Sequence, residues 1–273
     1  MNGTNRPSSG FADVHGARLY YEVAGSGAAL VMVHAGIADH RMWNDQWPIF
    51  AERYTVVRYD MRGFGKSAMV DGPYSHRDDL YGLLRCLGIE CAYLMGCSRG
   101  GATIVDLTLE HPEMAQGLIL VGAGLSGNPA AGEPPRQWEE VVSSFEQGEL
   151  ERTAELEVQI WVDGPQRTPD QVTPQVRDLV REMNLIALKN DSLKLGSEQQ
   201  PERPAIERLD EIRVPTLVIV GDQDQPYVVE TAELLERRIT GARRVVMRDT
   251  AHVPNMEQPD QFNQIVLDFL SAL

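Results

Sequence analysis

A serine stands among glycines in Gly96-Cys97-Ser98-Arg99-Gly100-Gly101, directly after the apolar run from Cys91 to Met95. That run reads as a buried strand, and Gly101 to Glu110 reads as a helix with Ala102, Ile104, Val105 and Leu109 on its inner face. So sharp a turn from strand to helix needs glycine at 96 and 100, and it lifts the Ser98 hydroxyl out of the sheet. The helix that follows points its free N–H groups and the positive end of its dipole at the same spot, which favours a developing anion. The chemistry this combination suits is nucleophilic attack on a carbonyl carbon.

A neutral hydroxyl is a weak nucleophile and needs a base. His252 is the best placed of the six histidines. It follows an apolar strand at Arg244 to Met247 and precedes the last helix, so its loop opens on the same sheet edge as Ser98. His111 ends the helix behind Ser98, where a cation suits the dipole. His15 and His76 read as a surface turn and a surface helix start. His40 falls near the mouth of the cleft, with nothing to mark it as a base. The imidazole in turn needs an orienting carboxylate. The strand Thr216 to Val220 runs into Gly221-Asp222-Gln223-Asp224, and Asp224, deeper in the loop, is chosen over Asp222. The corresponding loop after Leu118 to Val121 carries no acid. A tetrahedral intermediate also needs two N–H donors. One is expected from Arg99, the other from Gly36, or from Ile37 if the loop is shifted, after the strand Ala29 to Val33.

The elements that must hold these groups follow from apolar patterning. Phe11 to Val14 and Ala17 to Val23 predict a hairpin turning at His15-Gly16. The strands at Ala29, Tyr54, Cys91 and Leu118 alternate with helices predicted at Trp43 to Arg53, His76 to Leu87 and Gly101 to Glu110. Such alternation implies a mostly parallel sheet covered on both faces. From about Ser126 to Asp210 no strand is expected. Helices at Trp138 to Gln147, Glu149 to Val162 and Gln175 to Lys189 are separated by proline- and glycine-containing joints. The strand–helix rhythm then resumes, with helices predicted at Glu230 to Arg238 and Met256 to Leu270. The expected organisation is therefore a core at 1–125, a helical cap at 126–210 lying over the strand ends where such sheets bind ligands, and the rest of the core at 211–273.

The 273 residues, 42% hydrophobic, are enough to bury one large core. A formal charge of -15 excludes nucleic acid and anionic membrane surfaces as expected partners. The cap alone holds seventeen Asp/Glu against nine Lys/Arg, about half of that excess. Cys86, Cys91 and Cys97 are odd in number and lack metal-ligand spacing, so a reducing, cytoplasmic setting is expected. Cys97 is expected to pack away from Ser98 as a small hydrophobe. Residues Met1 to Gly10 are polar, with no signal-peptide pattern, and are expected to fray. No apolar stretch is long enough to span a bilayer.

The chain resembles the α/β-hydrolase fold family, in particular its cap-bearing esterases, enol-lactonases and carbon–carbon bond hydrolases. The resemblance covers about Phe11 to Ser126 and Val214 to Leu273. It is carried by His34-Ala-Gly36, Asp60-Met-Arg-Gly-Phe-Gly65, Gly96-Cys-Ser-Arg-Gly-Gly101, Gly221-Asp-Gln-Asp224 and Ala251-His252. It implies that Ser98, Asp224 and His252 form the catalytic triad and that the Asp60 to Gly65 turn is structural. Two positions depart from the family pattern. Ala35 replaces a commoner glycine, and Arg99 stands where relatives often carry an apolar side chain or Gln. An ion pair is the expected role for the Arg99 side chain.

Serine rather than aspartate at 98 excludes relatives that open halides or epoxides through an alkyl ester. The expected activity is hydrolysis of a small or medium, largely apolar ester or lactone, with no metal or organic cofactor. A carbon–carbon bond hydrolase is the alternative using the same residues. A ligand receptor with little turnover is the alternative from another class. The substrate pocket is expected from Ile37, Trp138, Phe145, Trp161, Met183 and Leu185. An anionic lactone is a candidate substrate if Arg99 faces the cleft.

Overall fold

The computed structural model describes residues 7–128 and 134–273. Ten strands run in chain order: β1 (Ser8–Val14), β2 (Ala17–Gly25), β3 (Ala29–Val33), β4 (Thr55–Tyr59), β5 (Pro73–Tyr74), β6 (Ala92–Cys97), β7 (Ala115–Val121), β8 (Ser197–Glu198), β9 (Thr216–Gly221) and β10 (Arg243–Met247). Eight of them form one sheet in the order β1-β2-β4-β3-β6-β7-β9-β10. The β1–β2 hairpin and the β2–β4 contact are antiparallel, and every other pair in this sheet is parallel. The helices are α1 (Trp47–Ala51), α2 (His76–Cys86), α3 (Arg99–Glu110), α4 (Trp138–Glu146), α5 (Leu150–Val158), α6 (Pro174–Ser192), α7 (Pro226–Arg238), α8 (Pro254–Glu257) and α9 (Pro259–Ser271).

The central strands are apolar throughout because both faces are buried. Along β3, Val31 and Val33 enter one core cluster and Leu30 and Met32 the other. The first cluster takes in Leu80, Leu83 and Leu84 of α2, Ile104 and Val105 of α3 and Leu235 of α7. The second takes in Phe50, Phe262 and Val266 from α1 and α9. Each fully buried aliphatic side chain contributes about 1.5–3 kcal/mol, so the ends of the central strands are held by a large buried core.

Several expectations are corrected. The helix expected over Trp43 to Arg53 is a 3₁₀ turn (His40–Trp43) followed by the short α1. Pro48 cannot continue a helix but suits the start of one. Pro259 divides the last helix into α8 and α9 for the same reason. The stretch expected to lack strands contains β8, which pairs in parallel with β5 (Pro73↔Ser197, Tyr74↔Glu198). Of the stretch expected to fray, Ser8 to Gly10 lie in β1; residues 1–6 lie outside the described ones. Between β7 and β9, α5 packs on both α4 and α6. It runs on into a single π-helical turn at Gln159–Asp163, a distortion often found at functional sites. The change from β7 to α4 passes through 129–133, outside the described residues. Among the described residues no helix is long and apolar enough to cross a membrane.

Candidate active site

Ser98 sits at the junction of β6 and α3 with φ 53° and ψ -113°, a backbone conformation that side-chain-bearing residues rarely adopt. The surroundings enforce it. Ser98 N donates to Val121 O at 2.9 Å, and Ser98 O accepts from Ala102 N and Gly124 N. A Cβ on Gly96 would lie 2.4 Å from Gly100 O, and one on Gly100 would lie 2.3 Å from Val33 O. The turn therefore closes only with glycine at both positions.

His252, in the loop after β10, and Asp224, in the loop after β9, are both buried. His252 Nδ1 donates to Asp224 Oδ2 at 2.8 Å, which leaves Nε2 as the basic nitrogen. Asp224 is itself held by Gln225 N, 2.7 Å from its Oδ1. The histidine loop is pinned from the helical segment between β7 and β9. His252 N donates to Trp161 O at 3.1 Å, and the Trp161 ring lies 4.7 Å from the imidazole. Ala251 N donates to Glu257, which pairs with Arg167. Asp222, by contrast, is exposed and accepts from Asp249 N, so of the two acids only Asp224 meets the histidine. Cys97 is fully buried, and burial pushes its thiol well above the ordinary range.

Two cavities meet at Ser98 and His252. The larger, about 520 Å³, also takes in Gly36, Ile37 and Arg99. Among the described residues the N–H groups of Gly36 and Ile37 donate no hydrogen bond. Arg99 is the first residue of α3, where an N–H has no intrahelical acceptor. Of the side chains expected to form a pocket, Ile37, Trp138 and Trp161 line this cavity. The other three are corrected: Phe145, Met183 and Leu185 do not line it. Met183 points into the core, its Sδ 3.5 Å from Asp39 N, because it lies on the inward face of α6 with Val176 and Val180.

Sequence reasoning missed the charged wall of this cavity, which carries Arg77, Asp106, Glu157 and Glu198. Arg99 pairs with Glu198 at 2.8 Å. Burial raises Asp106 to about 6, against the hydrogen bond it accepts from Ser126 Oγ at 2.6 Å. Burial likewise raises Glu157, which accepts from Asn184. His76, expected on the surface, is buried and lines the same cavity. Burial drives its imidazole well below the ordinary pKa, and the nearby Arg99 charge adds to this. The smaller cavity, about 240 Å³, is bounded by Gly122, Ala123, Gly124, Leu125, Tyr227 and Val228 among others. Of the side chains expected to form an apolar pocket, the three that line the larger cavity thus meet a charged wall there, and only Trp161 also borders the smaller cavity. His40, expected near the cleft mouth, borders neither cavity.

Comparison with known proteins agrees with this architecture. The family described as the alpha/beta hydrolase fold matches residues 28–259. A 2-hydroxy-6-oxo-6-phenylhexa-2,4-dienoate hydrolase of Comamonas testosteroni is 28% identical over 92% of this chain and 91% of its own length. A pimeloyl-[acyl-carrier protein] methyl ester esterase of Aeromonas hydrophila is 28% identical over 90% and 96%. Among solved structures, the enol-lactonase from Burkholderia xenovorans LB400 superposes with a TM-score of 0.79 at 26% identity, covering 96% of this chain and 100% of that one.

Proposed function

The chain belongs to the alpha/beta hydrolase fold family, and from that premise we propose that it is a serine hydrolase that cleaves a carboxylic ester or lactone through an acyl-enzyme. One observation carries the reading: His252, its Nδ1 fixed on Asp224 at 2.8 Å, borders the same cavities as the strained Ser98. In this reading Nε2 of His252 takes the Ser98 proton as Oγ attacks the carbonyl carbon. The backbone N–H groups of Gly36 and Arg99 hold the resulting oxyanion. The imidazolium then protonates the leaving oxygen, which departs as an alcohol or, from a lactone, stays tethered as a hydroxyl. Water, deprotonated by His252, attacks the acyl-enzyme and releases the acid. Asp224 remains ionised throughout and keeps the imidazole in the reactive tautomer.

The cap, proposed at 126–210, selects the substrate through Trp138, Glu157, Trp161 and Glu198, which come from it into the larger cavity. With a smaller cavity, more apolar than polar, and a larger charged one both bordered by Ser98, the substrate is asymmetric: one compact arm and one polar arm. Ser98→Ala tests the mechanism. It is expected to lower kcat for a 4-nitrophenyl ester by about 10⁴–10⁶, whereas retention of most turnover rejects the reading. The relatives named for 2-hydroxy-6-oxo dienoates favour a second reading, in which the same residues cleave a carbon–carbon bond. Fast cleavage of a vinylogous diketone with negligible ester turnover selects that one.

A further inference from the structure

Arg99 immediately follows the proposed nucleophile, and its side chain lies along the loop that carries Gly36, where an added Cβ would sit 3.1 Å from Arg99 Nε. Its guanidinium reaches the cap side of the larger cavity, where Nη1 donates to Glu198 Oε2 at 2.8 Å. That is the one hydrogen bond the guanidinium makes among the described residues, so the Nε and Nη2 edge keeps its donors uncommitted. Glu198 is placed by backbone. Ser197 N donates to Gly72 O, Gln199 N donates to Tyr74 O at 2.7 Å, and Arg77 Nη1 donates to Gln199 O. The pair is partly exposed, 44% at Arg99 and 30% at Glu198, and ion pairs with that access to water hold weakly.

His76 supplies an independent observation. It lines the same cavity, only 4% exposed, and neither ring nitrogen has a hydrogen-bond partner. A neutral imidazole keeps one N–H, and a buried donor left unpaired is costly unless a ligand or water meets it. Asp106 and Glu157 share the cavity but are tied to Ser126 and Asn184. Among the described residues the two Lys or Arg side chains that line it are Arg77, which pairs with Glu110, and Arg99.

Resting on the hydrolase reading above, we propose that the uncommitted edge of Arg99, with the unpaired His76 lining the same cavity, recognises a carboxylate carried on the polar arm of the substrate. Glu198 orients the guanidinium and, through its own charge, sets how tightly that carboxylate is held. The substrate class is therefore an ester or lactone that also bears a free carboxylate. Arginine suits this role because its planar fork matches a carboxylate with two parallel hydrogen bonds.

The test compares mono-4-nitrophenyl adipate with 4-nitrophenyl hexanoate, near in length and different in charge. The anionic-to-neutral ratio of kcat/KM is taken within each variant, so any general loss of activity cancels. Glu198→Gln keeps a hydrogen-bond acceptor and removes a charge, so the ratio is expected to rise about tenfold through a lower KM. Arg99→Met is expected to lower it about tenfold or more, with partial recovery in Arg99→Lys. Ratios within twofold of wild type in both Glu198→Gln and Arg99→Met overturn the proposal. If wild-type protein turns over neither ester, the hydrolase reading fails instead, and calorimetric binding of adipate decides the subsite. Tighter binding in Glu198→Gln and weaker binding in Arg99→Met sustain it, and equal affinities overturn it.

Discussion

Two buried imidazole–carboxylate pairs stand among the described residues of this molecule, and only one of them borders a cavity. His252 Nδ1 donates to Asp224 at 2.8 Å, and His40 Nδ1 donates to Asp60 at 2.7 Å. Geometry and burial of the two pairs are nearly the same. Their surroundings differ. The His252 pair closes loops at the ends of β9 and β10 and borders both cavities beside Ser98. The His40 pair is packed inside, its Nε2 3.6 Å from Glu22, its ring 5.1 Å from Tyr20, and neither cavity reaches it. Asp60 also accepts from His40 N and Lys66 N, so it ties the 3₁₀ turn at His40 to the turn that follows β4. Asp39, His40 and Asp60 bring potential ligand atoms within 4.8 Å of one another, but the Asp39 carboxylate is already clamped by Arg41. A histidine on a carboxylate is thus a fastening by default. It serves chemistry when a nucleophile and an open cavity meet its other nitrogen.

Mutation of the two pairs separates these roles. The largest effect is expected at Asp224→Asn, which preserves shape but favours the wrong tautomer of His252 and should lower kcat by about 10⁴. Steady-state kinetics on a 4-nitrophenyl ester measures it, and a loss of less than tenfold would dissolve the distinction. His40→Leu is expected to act on stability instead. It withdraws a donor from a buried carboxylate at a cost of about 1–3 kcal/mol, read as a drop in Tm, with kcat within threefold of wild type. Collapse of kcat at unchanged Tm would move the chemistry to the other pair. The smallest effect is expected at Asp222→Asn. This exposed neighbour of Asp224 accepts from Asp249 N, and its substitution should change stability by no more than about 0.5 kcal/mol and kcat by less than twofold.

That Ser98 and His252 border shared cavities, with Asp224 against His252, was legible because the three follow β6, β10 and β9, and parallel strands deliver their ends to one edge. The two glycines around Ser98 were legible for a steric reason that the distances to Gly100 O and Val33 O make concrete. His76 was misread although its signal was present. It stands four, seven and eight residues before Leu80, Leu83 and Leu84, on the buried face of α2. Phe145, Met183 and Leu185 show the converse. Periodicity tells which face of a helix is apolar but not whether a core or a cavity lies opposite. Glu198 gave no signal, since a two-residue strand in a polar run is shorter than any period. The His40–Asp60 bond joins two turns twenty residues apart, across α1 and β4, and no pattern in the sequence announces it.

The direct measurement of the central claim is covalent labelling with a fluorophosphonate, followed by peptide mapping by mass spectrometry. The account predicts one adduct, on the peptide containing Ser98, absent in Ser98→Ala and formed far more slowly in Asp224→Asn. An adduct on another residue, or ester turnover that continues while Ser98 stays unlabelled, contradicts it.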